Sequence, residues 1–158
     1  MKKAYITGAT GAIGMALVGE LLKNGISTTV FLRKDSGRND RVKDSFSREL
    51  ARGLLRIEYV SLEELSGYAL SRNTQDMQTY ASQDLLTKAA GGADTAVFYH
   101  LGWSGTFGTQ RNDADMQQKN VEYTLDAVRL AKRLGCVHFI GVGSQAEYGR
   151  FEGRLTPD

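Results

Sequence analysis

Residues 7–14 read Thr7-Gly8-Ala9-Thr10-Gly11-Ala12-Ile13-Gly14, three glycines at a spacing of three, set between a β-prone run and a helical pattern. The run Lys3-Ala4-Tyr5-Ile6-Thr7 stops at Gly8. A helix is expected from about Ala12, with Ile13, Leu17, Leu21 and Leu22 on one stripe and Gly25 as its stop. A strand that feeds through such a loop into a helix is the first half of a βαβ unit. That unit commits a chain to a parallel sheet with helices packed on it.

The alternation continues. Ser27-Thr28-Thr29-Val30-Phe31-Leu32 predicts a second strand, Asp40–Arg52 a polar helix ending at Gly53, and Leu55–Val60 a third strand of period two. Ser61–Ser82 is a variable connection with one helical turn, and Gln83–Ala90 reads as helix up to Gly91-Gly92. A fourth strand lies within Asp94–His100, the longest helix spans Asp113–Leu134, and Val137–Val142 is a fifth strand. Five strands separated by helices predict an α/β fold, a doubly wound parallel sheet of the Rossmann-like kind with strand order 3-2-1-4-5. It would occupy 1–158 as one domain. Ligands of such sheets bind where the winding reverses, at the carboxyl ends of the strands.

Composition removes other classes. Twenty basic residues against 18 acidic ones give no polycation for nucleic acid, and the basic excess within 33–56 fits a solvated helix face. One Cys and two His supply neither a disulfide framework nor a zinc-ligand set, which points to a reducing, cytoplasmic setting. The charge-free run Ala4–Val18 is broken by Gly8, Gly11 and Gly14, stops at Gly19 and is too short for a membrane span, and its removal as an export signal would cost the chain its best strand.

The glycine loop carries chemistry. Gly8 would allow the tight turn, Gly11 the close approach of a pyrophosphate to the backbone, and Gly14 tight packing of helix on strand. No Lys follows at the spacing a mononucleotide P-loop requires, so a dinucleotide is the expected ligand. About 20 residues on, an acid would accept from a ribose 2′-hydroxyl and select NAD. Strand two ends instead in Leu32-Arg33-Lys34. Arg33 and Lys34 suit a 2′-phosphate and favour NADP over NAD, while Asp35 remains as an acid that could select NAD.

These residues resemble the glycine motif of the extended short-chain dehydrogenases/reductases, the NAD(P)-dependent epimerase/dehydratase enzymes, many of which act on nucleotide sugars. Three further segments agree in order. His100-Leu101-Gly102 is similar to the family's His-Leu-Ala, Asn120-Val121-Glu122-Tyr123-Thr124 to its Asn-Val-x-Gly-Thr, and Gly143-Ser144-Gln145-Ala146-Glu147-Tyr148-Gly149 to its Ser-Ser-x-x-x-Tyr-Gly. The resemblance implies a cofactor set of Gly8, Thr10, Gly11, Ala12, Ile13, Gly14, His100, Leu101, Gly102 and Asn120, with Ser144 as the catalytic hydroxyl. For Asn120 the residue type favours a buried amide satisfied by backbone. His100 suits packing at a strand end, and Cys136 a small hydrophobe opening a buried strand.

Departures narrow the function. Dehydratases of the family carry Asp-Glu directly after the catalytic Ser/Thr, whereas Gln145 and Ala146 stand here, so sugar dehydration is disfavoured. Val60-Ser61-Leu62 replaces the frequent Asp near adenine. The loop Trp103–Arg111 is either a plain glycine-rich surface loop or faces substrate, with Arg111 as an anion ligand. The family's proton donor is a Tyr four residues before a Lys. The residues four after the seven Tyr are Ala9, Glu63, Arg72, Asp84, Trp103, Ala127 and Glu152, never Lys.

The expectation is therefore the dinucleotide-binding part of an epimerase- or reductase-type enzyme. It is truncated on its C-terminal side and inactive alone, and a complete parent would take a sugar or ketone substrate. The alternative is a non-catalytic NADP(H) sensor module. The helix 113–134 is apolar on more than one face, which predicts a homo-oligomer formed through it and the strand-five edge.

Overall fold

The computed structural model describes residues 1–71, 95–143 and 153. Five parallel strands form one sheet in the order β3-β2-β1-β4-β5. They are β1 (Lys3–Thr7), β2 (Ser27–Leu32), β3 (Leu55–Tyr59), β4 (Ala96–His100) and β5 (Cys136–Gly141). Five helices are described: α1 (Ala12–Lys23), α2 (Asn39–Ser45), α3 (Ser47–Ala51), α4 (Leu65–Ser71) and α5 (Ala114–Arg133), with 3-10 turns at Leu62–Glu64 and Gly108–Asn112. The expected sheet order is the observed one. The helix expected at 83–90 lies outside the described residues.

Alternation along the central strands divides the core into two layers. Ala4, Ile6, Val30 and Leu32 turn to one side and pack with Val18, Leu21 and Leu22 of α1 and Val42 of α2. On the other side Phe31, Phe98, Leu65, Ala127, Leu130 and Ala131 close a second cluster. Aromatic rings cross that face: Phe31–Tyr5 and Tyr5–Phe98 stack at 6.4 Å between centroids, and Phe98–Phe139 at 5.7 Å. Leu65, fully buried, anchors the seven-residue α4. Its burial contributes about 2 kcal/mol, more than so short a helix gains from propensity.

Three local expectations are corrected. The buried stripe of α1 runs through Gly14, Val18, Leu21 and Leu22, and Ile13 is 66% exposed. Gly14 must face the preceding loop, and this rotates its neighbour Ile13 outward. The polar helix of 40–52 is two helices, because Phe46 leaves helical geometry (φ −128°, ψ 29°) and lays its ring on Gly19 of α1. Strand five is not a buried strand. Cys136 is half-buried, and Val137 and Ile140 are exposed at 55% and 43%. Burial still pushes the Cys136 thiol up to about 12.

Candidate functional site

A cleft of about 830 Å³ opens at the carboxyl ends of β1, β2, β3 and β4. The glycine loop forms its floor, with Gly8, Thr10, Gly11 and Ala12 all lining it. Gly8 has φ +73°, and a Cβ there would stand 2.6 Å from the Leu101 carbonyl carbon. The chain after β4 thus lies directly against the loop after β1. A Cβ on Gly14 would run into the Gly8 carbonyl oxygen, so this glycine serves packing and stays off the cleft. Gly11 differs from both: among the described residues a Cβ there meets only the Gly8 oxygen, at 3.5 Å, and Gly11 lines the cleft.

Gly11 is also the N-cap of α1, without a side-chain cap and with no acidic residue in the first turn. The first N–H groups of a twelve-residue helix carry about half a positive charge at that end. Among the described residues no carboxylate or hydroxyl caps them, and they face a concavity. An anion fits there.

At the β2 end Arg33 lines the cleft together with Ser36, Gly37, Arg38 and Asn39, whereas Lys34 and Asp35 are exposed and do not. Asn39 is buried and donates to the carbonyls of Arg33 (2.9 Å) and Lys34 (3.1 Å), which fixes the turn that presents Arg33. Sequence reasoning missed Ser36, Arg38 and Asn39. The signal lay in Ser36-Gly37-Arg38-Asn39 itself, a turn-forming cluster directly after a strand. Across the β3 end, Val60–Glu63 complete the wall. There the Ser61 N–H donates to the Glu64 carboxylate at 2.7 Å and holds that carboxyl below its usual range.

At the β4 end Leu101, Gly102, Trp103, Ser104, Thr106 and Phe107 line the cleft. His100 and Asn120 stand behind this wall. Thr124 Oγ1 donates to the Asn120 carbonyl (2.9 Å), so it can only accept from His100 Nε2–H (3.3 Å). His100 Nδ1 then accepts from the Thr7 hydroxyl (2.8 Å), and Thr7 Oγ1 accepts from the Gly102 N–H (3.2 Å). Every proton in this chain points one way. Burial holds His100 down to about 4, and the ring is neutral. It positions the β4 loop and donates no proton to the cleft. Arg111 is exposed on the 3-10 turn and does not line the cleft. Ser144 lies outside the described residues, as do Gln145, Ala146 and Tyr148. Among the described residues no group of His, Cys, Asp and Glu is placed to hold a metal ion.

The model of the NAD dependent epimerase/dehydratase family matches residues 4–158. The chain belongs to that family. Solved structures of the same fold include a mutant UDP-glucuronic acid 4-epimerase from Bacillus cereus in complex with NAD and UDP-4-deoxy-4-fluoro-glucuronic acid. It is 19% identical, with a TM-score of 0.60 over 99% of this chain and 44% of that one. The UDP-Glc/GlcNAc 4-epimerase of Campylobacter jejuni superposes with a TM-score of 0.64 at 18% identity, covering 94% of this chain and 39% of that one. The Bordetella bronchiseptica enzyme WbmG in complex with NAD gives 0.62 at 16%, over 94% and 39%. This epimerase/dehydratase chain therefore spans about two fifths of the length of these structures. No curated protein matches its sequence. Among the described residues no helix is long and apolar enough to cross a membrane.

Proposed function

We propose that the chain is the dinucleotide-binding part of a nucleotide-sugar-related NAD(P)-dependent oxidoreductase or epimerase, and that it takes NADP in preference to NAD. The observation that carries the reading is the uncapped start of α1 on the glycine loop, open to the cleft. Gly11 and Ala12 would hold the pyrophosphate. Arg33 would meet a 2′-phosphate, with Arg38 beside it in the same wall. Neither guanidinium has an acidic partner among the described residues, and Asp35, the acid that would favour NAD, lies off the cleft. Several structures of the same fold are described with NAD bound, which supports a dinucleotide without deciding between the two. The nicotinamide supplies hydride transfer when bound.

Calorimetric titration tests the reading. NADPH is expected to bind about tenfold more tightly than NADH, as one charge-assisted guanidinium–phosphate contact would give. Arg33→Ala should remove the preference while leaving NADH unchanged. Equal affinities refute the NADP preference, and no heat from either dinucleotide refutes the site.

On turnover we propose that these 158 residues do not catalyse redox or epimerisation alone, since no Tyr has a Lys four residues on. Ser144, by its place in the Ser-x-x-x-Tyr-Gly segment, would orient the substrate oxygen. Saturable turnover of NADPH with a nucleotide sugar, abolished in Ser144→Ala, would overturn this. We also propose that a second copy covers the exposed apolar residues of α5.

A further inference from the structure

Trp103 directly follows His100-Leu101-Gly102 at the end of β4, and it is the only tryptophan in the chain. Its indole is 46% exposed and lines the cleft. It is nonetheless held fast. Nε1–H donates to Gln117 Oε1 at 2.8 Å, and the same oxygen accepts from Asn120 Nδ2 at 3.3 Å. Gln117 Nε2 in turn donates to the carbonyls of Gln110 (3.0 Å) and Gly105 (3.4 Å). Each polar atom of the Gln117 amide is used, so the ring is oriented before any ligand arrives and loses little entropy on contact.

The sheet order gives this ring its place along the cleft. β2 and β4 flank β1 on opposite sides, so Arg33 and Trp103 sit at opposite ends with the glycine loop between them. A dinucleotide with its pyrophosphate on the loop and its adenosine ribose at Arg33 must direct its other base toward β4. We propose that the indole of Trp103 is the wall on which the nicotinamide ring stacks. This rests on the reading of the cleft as a dinucleotide site. The oxidised ring is a planar cation, and indole is the side chain whose face attracts such a group most strongly. Trp103 therefore favours the oxidised over the reduced cofactor.

Because there is one tryptophan, its emission reports the contact without background. Titration with NADP+ is the probe, since the oxidised ring does not absorb where indole emits and quenching then requires contact. The 2′-phosphorylated ADP-ribose, which lacks the nicotinamide, and UDP-glucose are the comparison arms, with calorimetry run in parallel. NADP+ should quench Trp103, while bound phospho-ADP-ribose and UDP-glucose leave it bright. Trp103→Ala should weaken NADP+ by about threefold to tenfold, NADPH by less, and phospho-ADP-ribose not at all. Heat from NADP+ without quenching, or equal losses for all three ligands in Trp103→Ala, overturns the stacking wall and leaves the dinucleotide cleft standing. Quenching by UDP-glucose alone assigns the wall to a hexose and equally overturns the proposal. Absence of heat from NADP+ and phospho-ADP-ribose alike refutes the cleft reading, and the wall with it.

Discussion

Asn120 grips Ser104 with both ends of its amide: Oδ1 accepts from the Ser104 N–H and Nδ2 donates to the Ser104 carbonyl, each at 2.8 Å. An amide from the middle of α5 thus takes the place of a missing strand neighbour for the loop after β4. Asn120 is 1% exposed, so water cannot substitute for it. Asn120→Ala is expected to cost about 2 kcal/mol, the penalty for stranding two backbone groups. Asn120→Asp should do no better, because a carboxylate has no proton for the Ser104 carbonyl. Urea denaturation of the three proteins checks both statements.

The His100 imidazole links pH to stability. It titrates near 4 in the folded chain, against 6.5 when free, because burial disfavours the charged ring. Between those values the unfolded chain binds a proton that the folded chain refuses. The neutral ring's contribution is therefore complete above about pH 6.5 and is lost as pH falls toward 4. The drop in stability from pH 7 to pH 5 should be about 2 kcal/mol smaller in His100→Gln than in the parent, as read from denaturation curves at the two pH values.

Gly11 and Gly14 should fail in different assays. Gly14→Ala forces a methyl into the Gly8 carbonyl and against Ala9 Cα at 2.7 Å, where only backbone could yield. The gain in helix propensity of about 1 kcal/mol cannot offset that overlap, so the midpoint of thermal unfolding falls. Among the described residues Gly11→Ala meets nothing closer than 3.5 Å, and its φ of −75° suits alanine. Its stability should change by less than about 1 kcal/mol, while dinucleotide affinity drops, because the new methyl occupies the cleft.

Val121, Leu125 and Val128 follow one another at helical spacing on α5 and are exposed at 48%, 50% and 42%. Ala127, Leu130 and Ala131 already serve the sheet-facing side of the same helix. If a second copy covers the outer stripe, the parent sediments as a dimer and Leu125→Lys as a folded monomer, whose thermal midpoint no longer depends on protein concentration. A monomeric parent at micromolar concentration would count against it.

The sheet, its order and the glycine loop were legible in the sequence because each rests on local chemistry. β-branched and aromatic runs bounded by glycines make strands almost regardless of context. A Gly8 in the left-handed region followed by an apolar helix has few other uses. Arg33 could be read as a cleft residue for the same reason, since it stands at a strand end. Where structure and expectation differ, packing between elements decides and not the propensity of the segment itself. Phe46 breaks a helix because Gly19 offers its ring a seat, and Ile13 turns outward because Gly14 has to face Gly8. The roles of His100 and Asn120 as supports behind the wall depend on Thr7, 93 residues away from His100, and on Ser104. Trp103 is the plainest case. Its residue type promised an aromatic surface, but only the packing of α5 on β4 brought Gln117 to its indole N–H and turned the ring into a fixed wall of the cleft. Sequence determines what each segment can form alone; a buried donor finds its acceptor only after the sheet has closed, and that geometry belongs to the tertiary structure.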